Sequence, residues 1–129
     1  MAKKKIMIVD DDPDMIYAVK HGLEYLTSNY EFLEVSSGLD CIKLLEKGEK
    51  PDLILLDIIM PGMTGWEVAT KLKSNPLWKK IPLVFLTANT DDMSKGMGSL
   101  ASEAYICKPL DISELNKRIE KIIEIGTTP

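Results

Sequence analysis

The stretch that most constrains this chain is Leu53–Gly65, in which four apolar residues, Leu53-Ile54-Leu55-Leu56, run without interruption and stop at Asp57. A short continuous apolar run bounded by turn signals fits a strand buried on both faces of a parallel sheet. Pro61, Gly62 and Gly65 follow, so the chain turns there. Asp57 is thereby placed at the carboxyl end of a central strand, the edge where open α/β sheets gather ligands and chemistry. A strand-end cap would explain Asp57 alone equally well; its neighbours in the pattern decide between the two.

The rest of the chain alternates in the same manner. Lys5–Val9 reads as a first strand running into Asp10-Asp11-Asp12. Asp12-Pro13 has the form of an N-cap followed by proline at the first helical position. A first helix over about 13–27 follows, with Met15, Ile16, Val19, Leu23 and Leu26 at helical spacing and His21 as an exposed residue without chemistry. Tyr30–Val35 is a second strand. Ser36-Ser37-Gly38 opens a second helix with Leu39, Ile42 and Leu45 as its inward stripe, and Gly48 with Pro51 beyond marks its end. After the central strand, Leu53–Leu56, a third helix covers about 64–72, with Val68, Ala69 and Leu72 inward. Ile81–Leu86 is the fourth strand, with Thr87 at its end. Thr90-Asp91-Asp92 starts a fourth helix that Gly96 and Gly98 weaken by about 1 kcal/mol each relative to alanine. Ala104–Cys107 is a fifth strand leading into Lys108-Pro109. Asp111-Ile112-Ser113-Glu114 has the spacing of a capping box and opens a last helix with Ile112, Leu115, Ile119, Ile122 and Ile123 inward. Residues 126–129 form a frayed tail. Five strands alternating with five helices imply one parallel sheet covered on both faces, with right-handed crossovers.

No repeat or linker interrupts the alternation, and 129 residues suit one domain with a full core; we expect a single domain over 1–129 with its core at about 4–125. The net charge of −4 provides no electrostatic footprint for nucleic acid and none for a membrane surface. The apolar run after Lys3-Lys4-Lys5 is too short for a signal peptide, and no run reaches transmembrane length. Cys41 and Cys107 lack metal or redox spacing, which fits reduced thiols in a cytoplasmic protein.

The candidate polar residues all fall at strand carboxyl ends: Asp10 and Asp11 after the first strand, Asp57 after the third, Thr87 after the fourth and Lys108 after the fifth. Polar residues at strand ends are common singly, but the set on one sheet edge is not explained that way. At roughly 4–5 Å and an effective dielectric near 20, each pair of ionised carboxylates costs about 3–4 kcal/mol. A hard divalent cation with oxygen ligands offsets that cost, and Mg²⁺ characteristically takes one or two carboxylates plus phosphate oxygens. A lysine, a hydroxyl and a cation converging on one carboxylate are what phosphoryl transfer onto it requires, and Asp can serve as that nucleophile.

Over about residues 4–125 the chain resembles the receiver domain of two-component response regulators. The motifs that carry the resemblance are Ile-Val-Asp-Asp-Asp at 8–12, Leu-Leu-Asp-Ile-Ile-Met-Pro-Gly-Met-Thr-Gly at 55–65, Leu-Thr-Ala at 86–88 and Tyr-Ile-Cys-Lys-Pro at 105–109. The resemblance implies a flavodoxin-like (βα)5 sandwich with strand order 2-1-3-4-5. It implies Asp57 as phosphoacceptor and Mg²⁺ held by Asp10, Asp11, Asp57 and the Ile59 backbone carbonyl. It implies Thr87 and Lys108 on the phosphoryl oxygens, a cis Lys108–Pro109 peptide, and a switch in which Thr87 and Tyr105 move together. Asp12 is left to cap the first helix. The chain departs from the family pattern at Ala101-Ser102, where many receivers carry Gly-Ala.

The implied function is a phosphoacceptor module, not a classical enzyme, supplied by a sensor histidine kinase or phosphotransfer protein. Its implied output is a protein target bound through the fourth helix, fifth strand and fifth helix, with the chain a monomer or weak dimer. An aspartyl-phosphate phosphohydrolase is the alternative, disfavoured because such enzymes need a second acid two past the nucleophile, where this chain has Ile59. A flavin carrier on the same fold would place a phosphate against Asp10–Asp12, which repel it. With no output domain expected after Ile125, the module would act through a partner, pass phosphate onward or serve as a phosphate sink. Ile59 and Asn89 flank the expected position of hydrolytic water, and neither is a base; slow self-dephosphorylation follows.

Overall fold

The computed structural model describes residues 3–87, 104–107 and 111–127. Five strands, β1 (Lys4–Val9), β2 (Tyr30–Val35), β3 (Leu53–Asp57), β4 (Leu83–Thr87) and β5 (Ala104–Cys107), form one sheet in the order β2-β1-β3-β4-β5. Every neighbouring pair is parallel. Helices α1 (Pro13–Leu26), α2 (Gly38–Glu46), α3 (Gly65–Lys73) and a C-terminal helix (Ile112–Thr127) cover it. The fourth helix expected near residue 90 lies outside the described residues.

The alternation of side chains along each strand divides the core in two. Met7, Val9, Ile54, Leu56, Leu83 and Phe85 face α2 and α3. Ile6, Ile8, Leu53, Leu55, Val84 and Leu86 face α1 and the C-terminal helix. β3 is buried at every position, as its unbroken apolar run predicts.

Local signals set the helix ends. The Asp12 carboxylate accepts from the Asp14 N–H at 2.9 Å, capping α1 with Pro13 at its first position. Ser37 caps α2 through the Asp40 N–H. At its other end, Gly48 has φ +104°, and the Gly48 and Glu49 N–H groups donate to the carbonyls of Leu45 and Leu44, the paired bonds of a Schellman stop. Asp111 accepts from the Glu114 N–H at 3.2 Å to open the C-terminal helix.

Four expectations need correction, the first being that Gly126 and Thr127, expected in a frayed tail, belong to the C-terminal helix. Leu39 is 51% exposed, and Cys41, fully buried, takes its place in the inward stripe of α2. At 100° per residue, Leu39 lies roughly 110° from the centre of the stripe formed by Gly38, Cys41, Ile42 and Leu45. Leu26, the last residue of α1 and at the edge of its stripe, is also exposed. β4 starts at Leu83, not Ile81, because Pro82 has no N–H for the ladder; only its carbonyl pairs, with the Ile54 N–H at 3.0 Å.

Tyr30 ties the sheet edge to the C-terminal helix. Its hydroxyl donates to the Asn116 side-chain oxygen at 2.7 Å. Burial, with a smaller contribution from the Glu120 carboxylate, pushes the phenol up to about 12 from 10.0. Below pH 10 the phenol is neutral in both folded and unfolded chains, and its stabilisation is fully present. As pH rises from 10 towards 12 the unfolded chain ionises first, so stability falls. Tyr30→Phe is expected to lower the unfolding free energy by about 1 kcal/mol at pH 7, with the gap narrowing near pH 11. Urea unfolding at the two pH values checks this.

Candidate functional site

The register of β1 against β3 creates the site. Ile6 pairs with Leu53, Ile8 with Leu55 and Val9 with Leu56, so one step further places Asp10 beside Asp57. Both continue the rows that face α1, and adjacent strands lie about 4.8 Å apart. These are also the two strands at which the strand order reverses, where an open sheet has its crevice. The Asp10 N–H donates to the Val35 carbonyl at 3.0 Å, fixing that strand end to β2.

Asp10, Asp11 and Asp57 each present a carboxylate oxygen, all within 4.8 Å of one another. Asp10 and Asp57 are buried, at 1% and 6% exposure, and Asp11 is exposed. At that separation two ionised carboxylates repel by about 3 kcal/mol at an effective dielectric of 20; water screens Asp11 more. Asp10 also accepts from the Asp12 N–H at 2.9 Å. Asp12 itself is used by the α1 cap, which leaves Asp10 and Asp11 as the pair facing Asp57. The donors are three hard carboxylates without His or Cys, a set suited to Mg²⁺.

The loop after Asp57 is clamped. Ile58 and Met60 are buried while Ile59 is 63% exposed. Gly62 takes φ +75°, and the Gly65 N–H returns to the Ile58 carbonyl at 2.8 Å. A Cβ on Gly65 would collide with the Asp57 carbonyl oxygen and lie 2.7 Å from the Ile58 Cα. Only glycine allows α3 to begin that close to the acidic residue. Thr64 and Glu67 form a reciprocal capping box at this start, and the Thr-x-x-Glu spacing is its signal in the sequence. Trp66 then packs on Phe85 with ring centroids 4.9 Å apart.

Thr87 closes β4 one residue beyond Leu86, the register partner of Asp57, and Tyr105 lies within β5. Lys108, the Lys108–Pro109 peptide and Asn89 lie outside the described residues. Among the described residues no helix is long and apolar enough to cross a membrane.

The family model of the response regulator receiver domain matches residues 6–120. Protein PilH of Pseudomonas aeruginosa is 31% identical over 120 residues, which cover 92% of this chain and 97% of PilH. The chain belongs to the response regulator receiver domain family. It is a phosphoacceptor module of two-component signalling, with the flavodoxin-like fold and an acidic site at the sheet edge. The alkaline phosphatase synthesis transcriptional regulatory protein PhoP of Bacillus subtilis is 35% identical over 121 residues, 93% of this chain and 48% of PhoP. The receiver domain spans between 9% and 53% of the length of four such relatives. Among solved structures, response regulator protein TrrA of Thermotoga maritima, in complex with Mg²⁺-BeF, superposes with a TM-score of 0.81 at 31% identity, covering 92% of this chain and 98% of that one.

Gly65→Ala is expected to destabilise this receiver domain by about 1–3 kcal/mol, the usual range for overpacking, because the atoms it meets are backbone. Its shifted amide resonances should centre on Asp57 and Ile58. A urea titration and an NMR comparison with wild type check both.

Proposed function

We propose that Asp57 is the phosphoacceptor, and that a sensor histidine kinase or phosphotransfer protein donates the phosphoryl group. The observation that carries this reading is the convergence of Asp10, Asp11 and Asp57 within 4.8 Å, at the end of a strand buried at every position. In the transfer, a carboxylate oxygen of Asp57 forms the new bond to phosphorus as the bond from phosphorus to the donor atom breaks. The donor atom is a histidine nitrogen in a protein donor, or the acyl oxygen in acetyl phosphate. Asp10, Asp11, Asp57 and the Ile59 carbonyl would hold Mg²⁺, whose charge offsets the carboxylate repulsion and that of the phosphoryl oxygens. Thr87 would bond a phosphoryl oxygen and Lys108 would pair with another, the latter across a cis peptide to Pro109. The clamped Ile58–Gly65 loop keeps the Asp57 backbone fixed while this happens, so little reorganisation is required.

The added charge of about −1.5 to −2 would draw Thr87 inward, with Tyr105 following, and so alter the surface of the fourth helix, fifth strand and C-terminal helix that a protein target reads. The chemistry extends only to transfer onto and off Asp57. Hydrolysis requires a water in line with phosphorus. Ile59, apolar and 63% exposed, has no atom to orient that water, and Asn89 is no base. A lifetime of minutes or longer follows. The single receiver unit over about 4–125 and the cytoplasmic setting belong to the same reading; the latter is supported by Cys41, a free buried thiol.

Incubation with acetyl phosphate followed by intact-mass measurement tests this. One phosphate should add to wild type in Mg²⁺, and none to Asp57→Ala or in excess EDTA. After removal of the donor, Ile59→Asn and Asn89→Glu should lose it faster than wild type. Phosphate that persists on Asp57→Ala, or decay within seconds in wild type, contradicts the reading.

A further inference from the structure

A groove of about 510 Å³ opens at the end of the sheet opposite the acidic cluster. Leu45, Lys50, Pro51, Leu77, Trp78 and Ile81 line it, and Pro51 and Ile81 lie just before β3 and β4 begin. One wall is the turn after α3, and Asn75 builds that turn. Its side-chain oxygen accepts from the Leu77 N–H at 2.8 Å. Its carbonyl accepts from the Trp78 and Lys79 N–H groups at 3.0 and 2.9 Å, and the Ile81 N–H closes on the Trp78 carbonyl at 3.0 Å. Leu77, 85% exposed, is thus held out in water by a bonded turn. A large apolar side chain fixed in solvent beside an apolar groove is the pattern of an interaction site.

Charge states what the groove would take. Between Glu67 and Asp91 the chain has four lysines, Lys71, Lys73, Lys79 and Lys80, and no acidic residue, although its net charge is −4. Lys79 and Lys80 are exposed beside Trp78, and Lys50 is exposed on the facing wall. Lys73 Nζ reaches the Lys79 carbonyl at 3.5 Å, which keeps a further ammonium against the same turn. Of the two acids on the α2 side, Glu49 is already held by Lys5 at 3.2 Å, leaving Glu46.

We propose that this groove docks an acidic amphipathic segment of a partner protein. Its apolar side chains seat on Leu77, Trp78 and Ile81, and its carboxylates face Lys50, Lys79 and Lys80. The recognition is that of an amphipathic helix laid in a groove, with apolar anchors giving affinity and charge selecting the partner.

The test is NMR titration of the ¹⁵N-labelled full chain with a synthetic helical peptide that carries Leu on one face and Glu on the other, beside a companion with Lys in place of Glu. The Glu peptide should shift the amides of Lys50 and Leu77–Ile81 and the indole of Trp78, and the Lys peptide should not. Leu77→Ser and the double variant Lys79→Glu/Lys80→Glu should each weaken binding by about tenfold or more. All three positions are exposed, so an unchanged urea midpoint should accompany the loss. Equal response to both peptides, shifts confined to the acidic end, or undiminished affinity in the charge-reversed variant overturns the proposal. So do groove shifts that grow with protein concentration alone, which would make a second copy the occupant. Binding to phosphatidylserine vesicles without binding to the Glu peptide would assign the groove to a membrane surface and overturn it equally.

Discussion

Two buried carboxylates, Asp10 and Asp57, are held side by side by strand register, and the rest of the structure is arranged to make that tolerable. Left free, like charges move apart or into water. Here neither strand end can yield, because Met7 and Val9, and Ile54 and Leu56, lock β1 and β3 into one of the two core layers, and Ile6, Ile8, Leu53 and Leu55 into the other. A one-residue slip would turn every side chain of a strand to the opposite face, and β3, apolar on both, would lose its pairing with β1 and β4 together. Hydrophobic burial worth about 25 cal/mol per Å² thus sustains an electrostatic arrangement that costs energy locally. A bound cation would relieve that repulsion, and its charge would also offset the negative charge that a phosphoryl group adds.

The backbone around the cluster serves the same end. Asp12 is withdrawn from the acidic group by the α1 cap, while its own N–H steadies Asp10. Gly65 lets α3 begin against the Asp57 carbonyl, and the capping box at Thr64 holds the helix start in place. The amino-terminal edge of the same sheet is built otherwise: its turns expose Leu77 and lysines where the other edge buries acids. One end is therefore suited to chemistry that changes charge and the other to a standing contact.

Much of this is legible in the chain because it rests on local patterns. The run Leu53–Leu56 identifies a doubly buried strand, Asp12-Pro13 a helix start and Gly48 a helix stop. The acids at strand ends point to a common edge. What is not legible depends on long-range geometry or on competition between neighbours. The pairing of Asp10 with Asp57 needs the β1–β3 register, which no local signal states. The bond from Tyr30 to Asn116 joins residues far apart in sequence. In α2 the periodicity admits either Leu39 or Cys41 inward; the sheet takes the smaller Cys41, whose thiol lies 3.7 Å from the Met7 sulfur, and Leu39 is left in solvent. The Gly65 requirement reads in sequence only as a turn, because the atom that excludes a Cβ belongs to Asp57.

The most direct measurement is the unfolding free energy of wild type and Asp10→Asn, each in EDTA and in Mg²⁺. Asparagine keeps an oxygen that can accept from the Asp12 N–H and replaces the second, charged oxygen with a neutral NH2 donor of similar size. In EDTA the variant should be the more stable, by on the order of 1–3 kcal/mol, because the pair no longer repels. In Mg²⁺ wild type should gain stability by mass action on the folded state, the variant should gain little, and their order should narrow or reverse. If Asp10→Asn is less stable than wild type in EDTA, or if Mg²⁺ stabilises both alike, the buried carboxylate pair is not the strained, cation-seeking centre of this protein.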